Sequence, residues 1–271
     1  MGDPLEELPL AVEPTDHREH CRLPVEVIEA LGLREGQQVL LRSGEHCALY
    51  TVAGTADAVQ VDPEGRDRLD ADGPVEVAAD LFVRDDGPVV GSFEEALVEG
   101  HDGLAALAPH GGEIEAYTDV QAERLAERLG ATAWVCRGTW SGWEAFDRWH
   151  ITANAVHPAS FPALGRIADR GFDRAVSFHA WLQSGVGVGG AASLPVREAV
   201  RDAIADAVDG EYDVFLVEDP KYRGDKPENV VNWLTHDGQS GIQLEQGGQV
   251  RSAYGEEIVD AVADALDGLS E

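Results

Sequence analysis

The chain has 271 residues, 44% of them hydrophobic, which is enough to bury one large core or one medium and one small core. Its 51 acidic and 20 basic residues give a formal net charge of -31 at pH 7, and such an anionic surface repels phosphates, which excludes nucleic acid as an expected partner. No apolar run approaches the roughly 20 residues that span a membrane, and the acidic stretch MGDPLEELPLAVEPTD lacks the basic region of a signal peptide, so we expect a cytoplasmic protein without membrane attachment.

The acidic composition indicates a protein adapted to high salt concentration. In dilute buffer this much like charge repels itself and weakens the compact state. At molar salt the Debye length falls to about 3 Å, and the repulsion largely vanishes. We therefore interpret the composition as adaptation to a salty cytoplasm, as in halophilic archaea, with an acidic protein of an ordinary cell as the alternative. Three cysteines, Cys21, Cys47 and Cys136, cannot form a disulfide framework and favour a reducing interior.

Residues 1–88 lack long helical periodicity. One short helix is predicted in LPVEVIEALGL, followed by a turn at Gly36 and a strand. HCALYTV, DAVQV and VEVAADLFV are further short runs, punctuated by Gly, Asp and Pro. This pattern predicts a small β-barrel-like domain. With this net charge, we expect the barrel to bind a protein partner, including a second copy of the chain in a homo-oligomer.

Two His-Cys dipeptides lie in this first part, at His20-Cys21 and His46-Cys47. Together they could supply two histidines and two cysteines to zinc. Adjacent ligands are not the usual C-x2-C spacing, however, and a lone cysteine is commonly a small buried hydrophobe. We interpret both dipeptides as structural.

The segment DDGPVV at 85–90 is predicted to be a linker, and the pattern changes after it. Strands are predicted in LAALA, ATAWVC, HITA, RAVSFHA, YDVFLVE and SGIQLEQ, and helices in TDVQAERLAERLG, FPALGRIADRG, LPVREAVRDAIADAV and GEEIVDAVADALDGL. Thr118 is the expected N-cap of the first of these helices, with Gln121 closing a capping box. The alternation predicts an α/β domain over 89–271, with helices packed on a central sheet.

Residues that can bind a metal ion or transfer a proton follow three of the predicted strands. His110 follows LAALA, with two glycines and then Glu113 and Glu115 behind it, His179 ends VSFH, and Glu245 ends GIQLE. In open α/β sheets functional groups gather just beyond the strand ends. Two histidines and one carboxylate make the open zinc site of hydrolytic enzymes, and a further carboxylate can act as general base for the water in the fourth position. Each residue alone has a structural explanation, and the set of three strand ends makes zinc a candidate beside it.

Six motifs, in this order, resemble the poly-γ-glutamate hydrolase family of phage and bacterial zinc peptidases. They are APHGGEIEAYT, HITA, VSFHA, VGG, ENVVN and GIQLE, with Arg251 beyond the last. The resemblance covers about Ser92 to Leu269. It implies a three-layer α/β/α carboxypeptidase-like fold with a mixed sheet, one zinc ion, and hydrolysis of γ-glutamyl amide bonds in poly-γ-glutamate or similar small peptides.

The resemblance also implies roles for single residues. His110, Glu115 and His179 match the zinc ligands. Glu113 is the second candidate for the carboxylate ligand, because it makes the His-x2-Glu spacing of the zinc carboxypeptidases. Glu245 matches the general base that takes a proton from the zinc-bound water and passes it to the leaving amine.

The substrate side departs from the family pattern. Arg251 and Asn232 are the implied substrate-binding residues, but Trp233 stands where an arginine is usual, which removes a carboxylate clamp. Two alternatives follow: a catalytically altered, phage-related binding or replication-associated protein that keeps the fold, or a regulator whose N-terminal barrel binds a partner. The glycine-rich stretch at 184–190 lacks the ending of a P-loop and is interpreted as a mobile rim of the site.

Overall fold

The computed structural model describes residues 3–71, 73–84 and 91–269. The chain folds into two compact units. Unit 1 comprises Met1–Glu94 and Gly138–Gly165, and unit 2 comprises Glu95–Arg137 and Arg166–Glu271. The predicted linker at 85–90, and with it the predicted division of the chain after residue 88, lies outside the described residues.

Strands dominate the first part of the chain, and strands alternate with helices in the rest. In chain order the elements are β1 (Leu5–Leu8), β2 (Leu10–Val12), β3 (His20–Leu23), α1 (Val25–Leu31), β4 (Gln38–Ser43), β5 (His46–Thr55), β6 (Val59–Val61), α2 (Pro63–Leu69), β7 (Val75–Ala78), β8 (Gly91–Val98), β9 (His101–Gly112), α3 (Thr118–Leu129), β10 (Ala131–Trp140), α4 (Ala145–Trp149), α5 (Pro162–Gly165), β11 (Arg174–Trp181), β12 (Val186–Gly189), α6 (Leu194–Ala207), β13 (Val214–Leu216), α7 (Val230–Trp233), β14 (Gly241–Gly247) and α8 (Gly248–Gly268). In the part of the chain that the structure describes, no helix combines the length and the apolar character needed to cross a bilayer.

Unit 1 contains a seven-stranded mixed sheet in the order β1-β7-β4-β5-β3-β6-β2, which is nearly barrel-shaped. Its β4–β5 hairpin closes at the pair Ser43 and His46, and Gly44 between them has φ 61°, which L side chains rarely adopt. Alternate residues of the two strands, such as Leu41 and Tyr50, point into a single apolar core. The predicted β-barrel-like domain is confirmed.

The cysteines lie inside the protein. Cys21 and Cys47 are both 0% exposed, Cys136 is buried as well, and all three thiols are free. Among the described residues, no cluster of histidine, cysteine and carboxylate ligands suited to a metal contains a cysteine. These cysteines therefore act as small core hydrophobes, as expected from their type.

The strand predicted in HITA is wrong, because these residues lie in no strand and lead into a turn that Ala155 N closes on the Thr152 carbonyl at 2.8 Å. The buried carboxylate of Glu19 accepts a hydrogen bond from Thr152 N at 2.9 Å and pairs with His150 Nδ1 at 2.6 Å. The Glu19 carboxylate thus satisfies the Thr152 backbone N–H, which a neighbouring strand would otherwise bind. The helix predicted in FPALGRIADRG is limited to Pro162–Gly165, where it ends at a residue of low helix propensity.

Unit 2 is built on a second seven-stranded sheet, in the order β13-β12-β14-β11-β9-β10-β8. β11 pairs in parallel with both β9 and β14, whereas β12 runs antiparallel to β14, so the sheet is mixed. Helices α3, α8 and α6 pack side by side on one face, and the short α7 packs on the other. This architecture confirms the predicted α/β fold class, with helices on both faces of a mixed sheet.

The two faces of the sheet differ in chemistry. On β11, Val176 and Phe178 point into the apolar core beneath the helices. Ser177 and His179 alternate with them and point to the opposite face. The helix-covered face therefore provides stability, and the other face carries the polar side chains described below.

The glycine-rich stretch at 184–190 contains a strand of the sheet, β12, so its interpretation as a mobile rim is wrong. Its glycines permit close packing. A Cβ on Gly187 would lie 2.5 Å from the ring of Trp181, and a Cβ on Gly189 would lie 2.3 Å from the carbonyl oxygen of Arg223. Sequence patterns miss this strand because glycine has low strand propensity and is required here by close packing against Trp181 and Arg223.

Helix α3 begins differently from the prediction. Its N-cap is Tyr117, with φ 75°, and not Thr118. The Thr118 hydroxyl donates to the carbonyl of Glu115 at 2.8 Å, and the Gln121 amide pairs with that of Gln246. The expected capping box is therefore absent from α3, because both of its side chains bind other partners.

Candidate metal centre

A tight turn links β9 to α3 and returns the chain to its own start. Glu115 N donates to the His110 carbonyl at 2.8 Å, which closes the turn. A Cβ on Gly111 would lie 2.4 Å from Cβ of Asp119, and Gly112 has φ 69°. Gly112 N also donates to the Asp119 carboxylate at 3.2 Å. Both glycines are thus needed to bring the Glu115 side chain back beside His110.

Three ligand-type atoms converge at the ends of β9 and β11. The Nδ1 atoms of His110 and His179 are 3.2 Å apart, and Glu115 Oε2 lies 3.2 Å from the first and 3.5 Å from the second. All three side chains are buried, with exposures of 3%, 3% and 6% for His110, His179 and Glu115. Glu113, the other candidate ligand, is exposed. The structure therefore brings Glu115, and not Glu113, to the two imidazoles.

The spacing of these atoms fits zinc. Tetrahedral Zn²⁺ with bonds of about 2.0 to 2.1 Å places its ligand atoms about 3.3 to 3.4 Å from one another. Octahedral Mg²⁺ with similar bonds places neighbouring ligands about 2.9 Å apart and prefers oxygen. The observed separations of 3.2, 3.2 and 3.5 Å match the tetrahedral set. Two imidazoles and one carboxylate are also the protein ligands of some catalytic zinc sites, which keep a fourth position for water.

Ser177 orients one of the imidazoles, and sequence reasoning missed it. Its hydroxyl oxygen lies 2.7 Å from His179 Nε2, and the serine is fully buried. When Nε2–H donates to this oxygen, Nδ1 keeps its lone pair and directs it at His110 and Glu115. The only sequence signal is its position two residues before His179, which places both side chains on one face of the strand.

The protonation states of these groups suit a cation. Burial raises the pKa of Glu115, but the charges of His110 and His179 and their hydrogen bonds together outweigh burial and leave this pKa well below its ordinary value. Burial lowers the pKa of His179, against the opposing effect of Glu115. An ionised carboxylate and a neutral imidazole are the forms that bind a metal ion.

A fourth titratable side chain lies beside this group. Glu245 on β14 is the register partner of His179 on β11, so both point to the same face of the sheet. Burial, and next the negative charge of Glu115, raise the pKa of Glu245 well above its ordinary value, although a hydrogen bond from Gln243 opposes them. A raised pKa means that this carboxyl group binds a proton more readily than an ordinary glutamate, as a proton acceptor requires.

The predicted substrate-binding residues occupy different surroundings. Arg251 on α8 donates from Nε to the carbonyl of Ala116 at 2.6 Å and from Nη1 to that of Gln246 at 2.8 Å, which holds its guanidinium next to the residue that follows Glu115. Asn232 is fully buried and binds three backbone groups: its Nδ2 donates to the carbonyls of Gly224 and Lys226, and its Oδ1 accepts from Ala191 N. These contacts organise the loop before α7. Substrate contacts of Arg251 and Asn232 stay predictions.

Comparisons with known proteins point to one family. The family model described as poly-gamma-glutamate hydrolase matches residues 91–261. A structure of a bacteriophage poly-gamma-glutamate hydrolase is similar at 18% identity with a TM-score of 0.53, covering 66% of this chain and 89% of that one. A zinc-free structure of YndL is similar at 20% identity with a TM-score of 0.50, covering 65% of this chain and 89% of that one. No curated protein matches the sequence.

Proposed function

The chain belongs to the poly-gamma-glutamate hydrolase family, and on that premise we propose that it is a zinc-dependent hydrolase of γ-glutamyl amide bonds in poly-γ-glutamate-like peptides. The observation that carries the zinc is the triangle of His110 Nδ1, His179 Nδ1 and Glu115 Oε2, whose edges match tetrahedral coordination. The structural relative that is described as zinc-free supports the same metal.

The proposed mechanism assigns a task to each residue. His110, Glu115 and His179 hold the zinc, which when bound supplies a Lewis acid for the amide carbonyl and lowers the pKa of a coordinated water. Glu245 accepts a proton from the attacking water and delivers it to the nitrogen of the leaving amine. Arg251, held by backbone carbonyls, binds a negatively charged group of the substrate.

The distribution of positive charge supports an anionic substrate. The only two lysines of the chain, Lys221 and Lys226, lie with Arg223 in one six-residue segment, although the chain as a whole carries a net charge of -31. This segment lies against the site face: the Tyr222 carbonyl accepts from Gln243 Nε2 at 3.2 Å, and Gln243 also donates to Glu245. Arg223 is paired with Asp225 at 2.5 Å, so the two exposed lysines of this segment are the proposed contacts for a polymer of carboxylates.

The test combines metal content with a pair of substrates. Elemental analysis of the purified protein should give about one zinc per chain. In molar salt, which screens the repulsion between two polyanions, the protein should shorten poly-γ-glutamate and leave α-linked poly-glutamate intact. Bound zinc without cleavage of any γ-glutamyl amide would instead favour the non-catalytic binding protein, which is motivated by Trp233 in place of the family's arginine.

We place the protein in the cytoplasm, and its three free, buried cysteines support a reducing compartment. The barrel-like sheet of unit 1 is the proposed surface for homo-oligomer formation or for a regulatory partner, and nucleic acid and membranes are not proposed partners. The mass of the intact chain in solution, measured in molar salt, tests the oligomer.

A further inference from the structure

A chain of buried amides ends on the proposed base. Gln243, two residues before Glu245 on β14, points to the same face and donates from Nε2 to Glu245 Oε1 at 2.9 Å. Asn229, at the N-terminus of α7, donates from Nδ2 to Gln243 Oε1, also at 2.9 Å. Gln243 and Asn229 are only 5% and 2% exposed. Solvent therefore does not compete for these hydrogen bonds.

Backbone groups at both ends determine which way each amide points. Val231 N–H can only donate, and it lies 3.1 Å from Asn229 Oδ1, so the Asn229 NH2 group must face Gln243. The Tyr222 carbonyl can only accept, and it lies 3.2 Å from Gln243 Nε2. Both ends require the Gln243 NH2 group to face Glu245. The orientation is thus fixed by the hydrogen-bond network.

The backbone of the loop before α7 also packs closely against the Gln243 amide. A Cβ on Gly224 would lie 2.5 Å from Cδ and Oε1 of Gln243, so only a glycine permits this approach. Gly224 has φ 63°, which a residue with a side chain would rarely adopt. The backbone of the loop therefore covers the Gln243 amide directly.

We infer that Gln243 and Asn229 are positioning residues that hold Glu245 Oε1 as a hydrogen-bond acceptor and thereby assign proton transfer to Glu245 Oε2. In the forward step an O–H bond of the attacking water breaks, its oxygen bonds to the amide carbon and an Oε2–H bond forms; in the next step the C–N bond breaks as this proton passes from Oε2 to the nitrogen of the leaving amine. Because Gln243 is neutral, it orients the carboxylate without the strong stabilisation of the anion that an arginine or lysine would give. The inference rests on the proposed function, in which Glu245 is the general base.

A double-mutant cycle tests whether Gln243 acts through Glu245. Gln243→Met keeps the size of the side chain and removes the donor. We expect kcat on poly-γ-glutamate to fall about 10- to 100-fold, as for other orienting partners of active-site groups, with KM within twofold and one zinc retained per chain. In the Glu245→Gln background the same substitution should leave the residual rate unchanged, because no base remains to be positioned.

Two further variants separate positioning from stability. Asn229→Asp keeps an oxygen that caps Val231 N but removes the donor to Gln243, so the Gln243 amide should turn towards the new carboxylate and kcat should fall as in Gln243→Met. Gln246→Met is the matched control, because this neighbouring buried amide pairs with Gln121 on the helix-covered face. It should leave kcat within twofold.

If Gln243→Met leaves kcat unchanged, or lowers the rate equally with and without the Glu245 carboxylate, the positioning role is overturned while the zinc hydrolase stands. If the zinc-loaded wild-type protein cleaves no γ-glutamyl amide, the proposed function is overturned, and the inference with it.

Discussion

His179 and Glu245 are register partners on the parallel strands β11 and β14, and their side chains leave the sheet on the same face. One belongs to the candidate ligand set and the other is the candidate base. Their proximity is set by the hydrogen bonds of the sheet, so it does not depend on a loop. Sites built on strands in this way are held more precisely than sites built on loops.

Glu245→Gln should keep the zinc and lose hydrolysis. The amide is nearly isosteric with the carboxylate but cannot accept the proton of the attacking water, so kcat should fall by a factor of about 100 to 10,000. Zinc content by elemental analysis and the initial rate on poly-γ-glutamate are the two measurements. Glu113→Gln, an exposed carboxylate of the neighbouring turn, is the control and should retain activity. A fully active Glu245→Gln variant would show that another group is the base.

Single substitutions can test each proposed zinc ligand separately. His110→Ala, His179→Ala and Glu115→Ala should each release the zinc on dialysis, because each removes one corner of the triangle of Nδ1, Nδ1 and Oε2 atoms. Glu113→Ala should keep one zinc per chain. Zinc loss from Glu113→Ala, with retention in Glu115→Ala, would exchange the roles of the two carboxylates.

Ser177→Ala should weaken zinc binding about 10- to 100-fold, since it removes the hydrogen-bond partner that orients His179. Competition with a chelator of known affinity measures the change. Ser184→Ala alters an exposed serine in the segment after β11 and serves as the control. Equal zinc affinity in Ser177→Ala and wild type would mean that the strand alone orients the imidazole.

The basic segment should contribute to substrate binding. Lys221→Gln combined with Lys226→Gln should raise KM for poly-γ-glutamate roughly threefold to tenfold and leave kcat nearly unchanged, because both lysines are exposed beside the site face. The effect should shrink as salt screens the charges. Arg201→Gln, on α6, removes a partly exposed cation elsewhere and is the matched control. A KM that is independent of the two lysines at every salt concentration would contradict the proposed anionic subsite.

The buried carboxylate of Glu19 in unit 1 should make the free energy of unfolding depend on pH. Burial raises the pKa of Glu19, but its hydrogen bond and ion pair with His150, together with Arg68 and the bond from Thr152, lower this pKa from 4.5 to about 2. A depressed folded-state pKa contributes stability above the unfolded pKa of about 4.3, and the contribution is lost as pH falls through about 2.

Glu19→Gln should therefore lower the free energy of unfolding by on the order of 3 kcal/mol at pH 7. The difference from wild type should vanish between about pH 4 and pH 2, as measured by urea unfolding in molar salt. Glu26→Gln, an exposed glutamate of α1, is the control and should show a small and pH-independent difference. A constant difference for Glu19→Gln down to pH 2 would mean that packing, and not charge, is responsible.

Local sequence patterns predicted much of this fold and failed at identifiable places. The apolar runs around Val176 and Leu244 marked β11 and β14, because strand periodicity is a local property. The same local patterns did not predict three features: the irregular segment at HITA, the start of α3 at Thr118 and the glycine-rich strand β12. At each place a contact with a residue far along the chain contributes: Glu19 binds Thr152, Gln246 pairs with Gln121 of α3, and Arg223 packs against Gly189.

The sequence by itself determined the residue types that can bind a metal or move a proton, and the strand ends on which His110, His179 and Glu245 lie. Only the tertiary structure decided that Glu115 meets the imidazoles while Glu113 remains exposed, and that Ser177 and Gln243 orient the groups beside them. The physical reason is that ligand geometry depends on turn closure and strand register, which bring atoms within about 3 Å of one another across separations of tens of residues.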